Sequence, residues 1–193
     1  MLNLKSLTPV IILCIICLVM TGLVSLTFEA TREERLRQEE LAANENRQAM
    51  YPDAATFDVM APVDGETWPD GLTEWTQALD ASGQTIGHII VGAKRGYAGF
   101  VPVMVAISPD GVVMSIRVLA NEETPGLGKK VEQNSFAAQF SDQTADQLFS
   151  IEKNPVDAHA VDAISGATIS SRAVTDAVNI AIQFFQTLEQ EDR

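Results

Sequence analysis

A chain of 193 residues with 26 acidic and 13 basic side chains, net charge −13, lacks the basic patches that grip a phosphate backbone, so a nucleic-acid binder is excluded. The length suits one domain of ordinary size once an apolar N-terminal run is set aside, enough to bury a real core. The only cysteines, Cys14 and Cys17, both fall inside that run, which leaves the rest without a disulfide.

Residues 6–28 contain no charge, and about 20 apolar residues suffice to cross a hydrocarbon core. A transmembrane helix is predicted over residues 1–28. Pro9 lies in its first turns, where a missing N–H costs least. T-F-E-A-T-R supplies no small-x-small cleavage site, and bulky Ile16 argues against a lipoprotein signal at Cys17. Cys14 and Cys17 read as polarizable apolar residues facing lipid or a partner helix rather than as a metal pair. Lys5 precedes the run and Arg32, Arg35 and Arg37 follow it, so the positive-inside rule taken alone puts the remainder in the cytoplasm.

Residues 29–50 are rich in Glu, Arg, Gln, Ala and Leu with opposite charges at helical spacing, such as Glu33 and Arg37, and predict a solvated helical stalk. Tyr51-Pro52-Asp53 ends it, and Pro62, Gly65, Pro69 and Gly71 mark turns. A domain is expected over 51–193. Strands are expected at 75–79, 84–93, 100–108 and 112–119, joined by turns at 80–83 and 109–111. His88, within the second of these, is assigned no role. Residues 94–99, with Gly96, Tyr97 and Gly99, read either as a plain hairpin connection or as a loop offering an aromatic face to a ligand.

Glu123 to Gly128 reads E-T-P-G-L-G. Pro125, Gly126 and Gly128 prevent a regular helix, so the loop presents backbone amides, the Thr124 hydroxyl and the Leu127 side chain, a mixture that suits a flat apolar ring with polar edges. Lys129 and Lys130 follow as cations. Short helices are predicted at 135–140 and 142–149, burying Phe136, Phe140, Leu148 and Phe149. His159 precedes the next motif by a few residues and reads as an exposed loop residue or a neighbour of that site.

Residues 162–171 read D-A-I-S-G-A-T-I-S-S. Asp162, Ser165, Thr168, Ser170 and Ser171 surround Gly166 and Ala167, and a one-sided helix follows, with apolar Val174, Ala177, Val178, Ala181, Phe185 and Leu188 and an acidic tail at 189–193. Unpaired amides and the positive dipole end of a helix favour an anion such as a phosphate. From this motif alone, a tight turn whose serines merely cap the helix is the favoured reading. Strands followed by helices without alternation give an α+β fold.

With an N-terminal anchor, E-T-P-G-L-G and then D-A-I-S-G-A-T before a final helix, the chain resembles the G subunit of Rnf electron-transport complexes, an FMN-binding family. The C subunit of sodium-pumping NADH:quinone reductases is its near relative. The resemblance runs from about Gly96 to the C-terminal helix, together with the anchor. It implies FMN held covalently through a phosphoester to Thr168, with Asp162, Ser165, Gly166, Ala167, Glu123, Thr124, Gly126, Leu127, Gly128 and Lys129 as the surrounding cofactor-binding residues. It further implies other membrane subunits as partners, a flavin transferase that uses FAD and Mg²⁺ for maturation, and an inner-membrane location. It also places the soluble domain in the periplasm, against the arginine count. The family often has a histidine at the position of Asn121 and an acidic residue at that of Lys129, departures that bear on flavin contacts and tuning rather than attachment. The resemblance implies electron carriage within a complex coupling ferredoxin and NAD to ion movement. The alternatives are the equivalent quinone-reductase component and a membrane-anchored module without flavin. No catalytic acid and base pair and no metal cluster are expected.

Overall fold

β3 (Thr85–Arg95) and β4 (Phe100–Ile107) read as almost continuous apolar runs because both faces of the sheet they centre are covered. Side chains alternate across a strand. On one face, Ile90, Val101, Val103, Val105 and Ile107 pack with Val174, Ala177, Val178, Ala181 and Ile182 of the last helix. On the other, Ile89, Val91, Met104 and Ala106 pack with Met50, Tyr51 and Ala54. The computed structural model describes residues 4–62, 67–153, 155, 157 and 159–191. Gly65 and the last two residues of the acidic tail lie outside them.

The chain divides into two compact units, Met1–Asn46 and Arg47–Arg193. In the first, α1 (Leu4–Ala30) is apolar all round, and Pro9–Ala30 is long and apolar enough to cross a membrane. α2 (Arg32–Met50) follows after a single residue, with the Arg35 guanidinium 4.1 Å from the Phe28 ring centre.

In the second unit, β1 (Thr56–Met60), β2 (Leu72–Leu79), β3, β4, β5 (Val112–Val118) and β6 (Gln143–Thr144) form one antiparallel sheet in sequential order. The expected meander is present, extended by a strand at each edge. Asp80 closes the β2–β3 turn, accepting from the Ser82 and Gln84 amides at 2.8 and 2.9 Å. β7 (Ser150–Glu152) and β8 (Ala160–Asp162) pair in parallel. α3 (Asn134–Ala137) and a 3₁₀ turn at Ala138–Phe140 take the place of the first predicted short helix.

The second predicted short helix, at 142–149, is not formed. Asp142 adopts φ 60°, a left-handed conformation that ends helical propagation, and the chain goes into β6 instead. Phe136, Phe140 and Phe149 are buried as expected, but Leu148 is exposed. α4 (Thr168–Glu191) begins at Thr168, within the motif that it was expected to follow. It lies directly on β3 at Gly92, where an added Cβ would sit 2.1 Å from the Ala177 carbonyl oxygen. Asn179 accepts from the Phe149 amide and donates to its carbonyl, both at 2.8 Å, fixing the chain before β7 to the helix.

Tyr51 closes the opposite face. Its ring occupies the space left by Gly87, and its hydroxyl donates to the Ile107 carbonyl at 2.7 Å. Burial pushes the phenol well above its ordinary pKa, with the His88 backbone acting the other way. Tyr51→Phe keeps the ring and removes the bond, so a loss of about 1 kcal/mol is expected, read as a lower urea midpoint with an unchanged slope.

Candidate functional site

The loop after β5 and the turn before α4 meet although some forty residues separate them in the chain. In the first, the Thr124 carbonyl accepts from the amides of Leu127 and Lys129 at 3.2 Å, and Gly126 takes φ +78°, with open space where a Cβ would stand. Glycine is required there by backbone conformation rather than by crowding. In the second, the Ala167 amide donates to the Ile164 carbonyl at 2.9 Å and Gly166 takes φ +80°. A Cβ on Gly166 would lie 3.5 Å from Leu127 Cδ2, so the two motifs touch. Between them is a cavity of about 530 Å³ lined by Tyr97, Glu123, Thr124, Leu127, Gly128 and residues 166–170.

Four hydroxyls of the second motif are sorted by their surroundings. Ser170 is 2 % exposed and donates to Glu123 Oε2 at 2.5 Å. Ser171 is fully buried and accepts from the Ile164 amide at 3.1 Å. Thr168 and Ser165 are exposed. Thr168 is the first residue of α4, and the first intrahelical bond made after the turn runs from the Ser171 amide to the Ala167 carbonyl. The amides of residues 168–170 therefore have no earlier helical carbonyl and, with the helix dipole, offer an anion site beside the Thr168 hydroxyl.

Glu123 is 1 % exposed, the one buried carboxylate among the described residues. Oε1 accepts from the Ala98 amide at 3.0 Å and Oε2 from Ser170. Burial raises its pKa, but Ser170 and the amides of Ala98, Tyr97 and Gly99 outweigh burial and hold the carboxyl below the usual range. Gly96 and Gly128 make room for it, since a Cβ on either would come within 2.5 Å of one of its oxygens.

Of the residues singled out from sequence, Glu123, Thr124, Leu127, Gly128, Gly166, Ala167 and Thr168 share this cavity. Asp162 and Ser165 line an adjoining one of about 510 Å³ with Lys153 and Arg172, and Gly166 and Thr168 form the ridge between the two. Gly126 shapes the loop without lining the cavity. Lys129 is turned away to Glu132 Oε1 at 3.1 Å. Asn121 donates to that same oxygen at 2.9 Å and accepts from the Glu123 amide, so the two departures from the family pattern are joined through Glu132. Tyr97 lines the cavity, in keeping with the aromatic face expected of the 94–99 loop, whereas Ile169 in the lining carries no signal in the sequence. His159 bonds the Thr144 carbonyl at 3.0 Å and lies against Phe149, tying β6 to β8. His88 is held between Trp75 and Phe185.

The cavity falls in the size range of cofactor sites. Apolar Leu127 and Ile169, aromatic Tyr97, polar Thr124 and a helix start fit a molecule with a flat ring at one end and a phosphate at the other. Such a site on an antiparallel sheet with one long helix suits a nucleotide-like cofactor, and residues 96–183 match the family model described as FMN-binding domain.

The Shewanella oneidensis NqrC crystal structure shares the fold, with TM-score 0.55, 17% identity, and coverage of 75% of this chain and 86% of that one. The chain is 33% identical over 190 residues to the G subunit of the ion-translocating oxidoreductase complex of Methanosarcina acetivorans, covering 96% of this chain and 97% of that protein. It is 33% identical over 154 residues to the G subunit of the Na⁺-translocating ferredoxin:NAD⁺ oxidoreductase complex of Acetobacterium woodii, 75% and 74% of the two chains. For the proton-translocating counterpart of Clostridium ljungdahlii the identity is 28% over 171 residues, 89% and 86%. The chain belongs to the G-subunit family of ion-translocating oxidoreductase complexes.

Proposed function

We propose that this chain is the FMN-carrying subunit of a membrane complex that passes electrons between ferredoxin and NAD and couples the transfer to ion movement, with the FMN phosphate esterified to Thr168. The observation that carries the reading is the sorting of hydroxyls. Ser170 and Ser171 are buried and engaged, whereas Thr168 is exposed at a helix start on the rim of a cavity built from both motifs. FMN, when bound, supplies reversible electron uptake.

The chain's own part is to bind and orient. The amides of residues 168–170 would hold the phosphate charge, and Thr124, Leu127, Ile169 and Tyr97 would hold the ring. An electron carrier needs an exposed ring edge, but exposure weakens binding, and each 1.4 kcal/mol lost costs about tenfold in affinity. A covalent bond removes that conflict. A separate flavin transferase makes the ester from FAD, releasing AMP, and Asp162 assists it. Gly126 would act through the shape of its loop and Ser165 from the adjoining cavity, while Lys129 would act through its pairing with Glu132. The test is colour: purified protein should stay yellow after denaturation, with FMN mass on the tryptic peptide of residues 154–172. Colour lost on denaturation would leave FMN binding without the ester, and a colourless native protein would overturn the reading.

In this reading residues 1–28 anchor the chain in the inner membrane beside the other subunits, 29–50 form a stalk and 51–193 the FMN-binding domain, on the periplasmic side. An alkaline phosphatase fusion at the C-terminus should be active. An inactive fusion beside a fluorescent cytoplasmic reporter would reverse the orientation, as Arg32, Arg35 and Arg37 would have it.

A further inference from the structure

Glu123 is buried, yet no Lys, Arg or His lies within ion-pair reach of it among the described residues. A buried charge without a counter-ion is costly and is tolerated only where dipoles compensate it. Here the compensation comes from two distant parts of the chain. The turn between β3 and β4 gives the Ala98 amide, and the first turn of α4 gives the Ser170 hydroxyl. Gly96 and Gly128 clear the space around the carboxylate. The carboxylate accepts on both oxygens, one from each part of the chain, so it joins the two segments across the wall between them. The charge also lies in the wall of the cavity that carries Tyr97, Leu127 and Thr168.

We propose that Glu123 is a positioning residue for the flavin and sets its redox poise: its carboxylate holds the 96–99 turn and the start of α4 together around the cavity, and its charge opposes electron uptake by a ring held there. The inference rests on FMN occupying this cavity, as proposed above. The lowered pKa of the carboxyl is consistent with a group that stays ionised at neutral pH. A fixed negative charge in a site of low effective dielectric destabilises added electrons on its neighbour. Holding the α4 turn also holds Thr168, two residues before Ser170, at the cavity rim.

Two variants of the full chain test this. Glu123→Gln removes the charge and keeps the shape. The flavin should stay attached, and its midpoint potential should shift upward relative to the parent. Glu123→Ala in the flavin-free Thr168→Val background removes the clamp. Hydrogen exchange should then quicken at both 96–99 and 168–172, segments remote in sequence from the substitution. A Glu123→Gln potential equal to the parent's overturns the tuning role, and exchange quickened only around residue 123 overturns the clamp. If Glu123→Ala does not fold, Ser170→Ala in the same background replaces it, with quicker exchange at 96–99, remote in sequence from the substitution, supporting the clamp and unchanged exchange there overturning it. The exchange arm needs no flavin, so a failure of the FMN assignment, seen as a colourless parent, is distinct from a failure of this inference.

Discussion

Thr168→Val is expected to yield a folded, membrane-inserted and colourless protein. Valine reproduces the shape of threonine but has no hydroxyl to form the ester. The cost to folding should be small, within about 0.5 kcal/mol, because the residue is exposed and a β-branched side chain is accommodated at the start of a helix. Loss of flavin should be complete rather than partial, since the neighbouring hydroxyls offer no substitute on the same rim. Ser170 is committed to Glu123 and Ser171 to the Ile164 amide, while Ser165 faces the adjoining cavity. Thr168→Ser should restore colour. In-gel flavin fluorescence, followed by the mass of the peptide of residues 154–172, reads the result. Flavin retained in Thr168→Val, or FMN mass on a serine of the parent, would move the attachment elsewhere.

Gly92→Val should abolish the folded domain. An added Cβ would stand 2.1 Å from the Ala177 carbonyl oxygen and 3.0 Å from its carbon, so the obstruction is helix backbone rather than a side chain that can turn aside. β3 is paired on both sides, and α4 is held by Val174, Ala177, Val178, Ala181 and Ile182, all fully buried. Neither layer can shift without opening the core between them. Overpacking of this kind costs typically about 1–3 kcal/mol where side chains can adjust, and more is expected against a backbone. Thermal unfolding of the purified chain checks this, with Gly99→Ala as the control, because there an added Cβ meets only the Glu122 side chain at 3.5 Å. A melting temperature for Gly92→Val within a few degrees of the parent would mean that helix and sheet part more easily than their packing implies.

Local patterns made much of this fold legible. β2 to β5 announced themselves through apolar runs broken by Asp80–Gly83 and Pro109-Asp110-Gly111, because strand and turn preferences there agree with the final pairing. β1 escaped notice because it is an edge strand with Thr56, Asp58 and Val59 exposed, so little alternation remains to be read. The helix expected at 142–149 was to bury both Leu148 and Phe149, yet only Phe149 reaches the core, from an irregular segment after Asp142 turns left-handed. The early start of α4 was hidden because Thr168 and Ile169 are exposed and continue no apolar stripe. At the site, the fold brings residues of both motifs to one cavity. The burial of Glu123 was not legible, since its partners Ala98 and Ser170 lie far away along the chain and a lone charged loop residue suggests solvent.

The two ends of the sheet bear on how the domain meets its neighbours. β6 contributes only two residues, and β1 carries a carboxylate, Asp58, on its exposed side. Short or charged margins discourage another chain from adding a strand of its own. Association through side-chain surfaces, instead of shared main-chain ladders, leaves subunits free to separate and reorient without unzipping a continuous sheet.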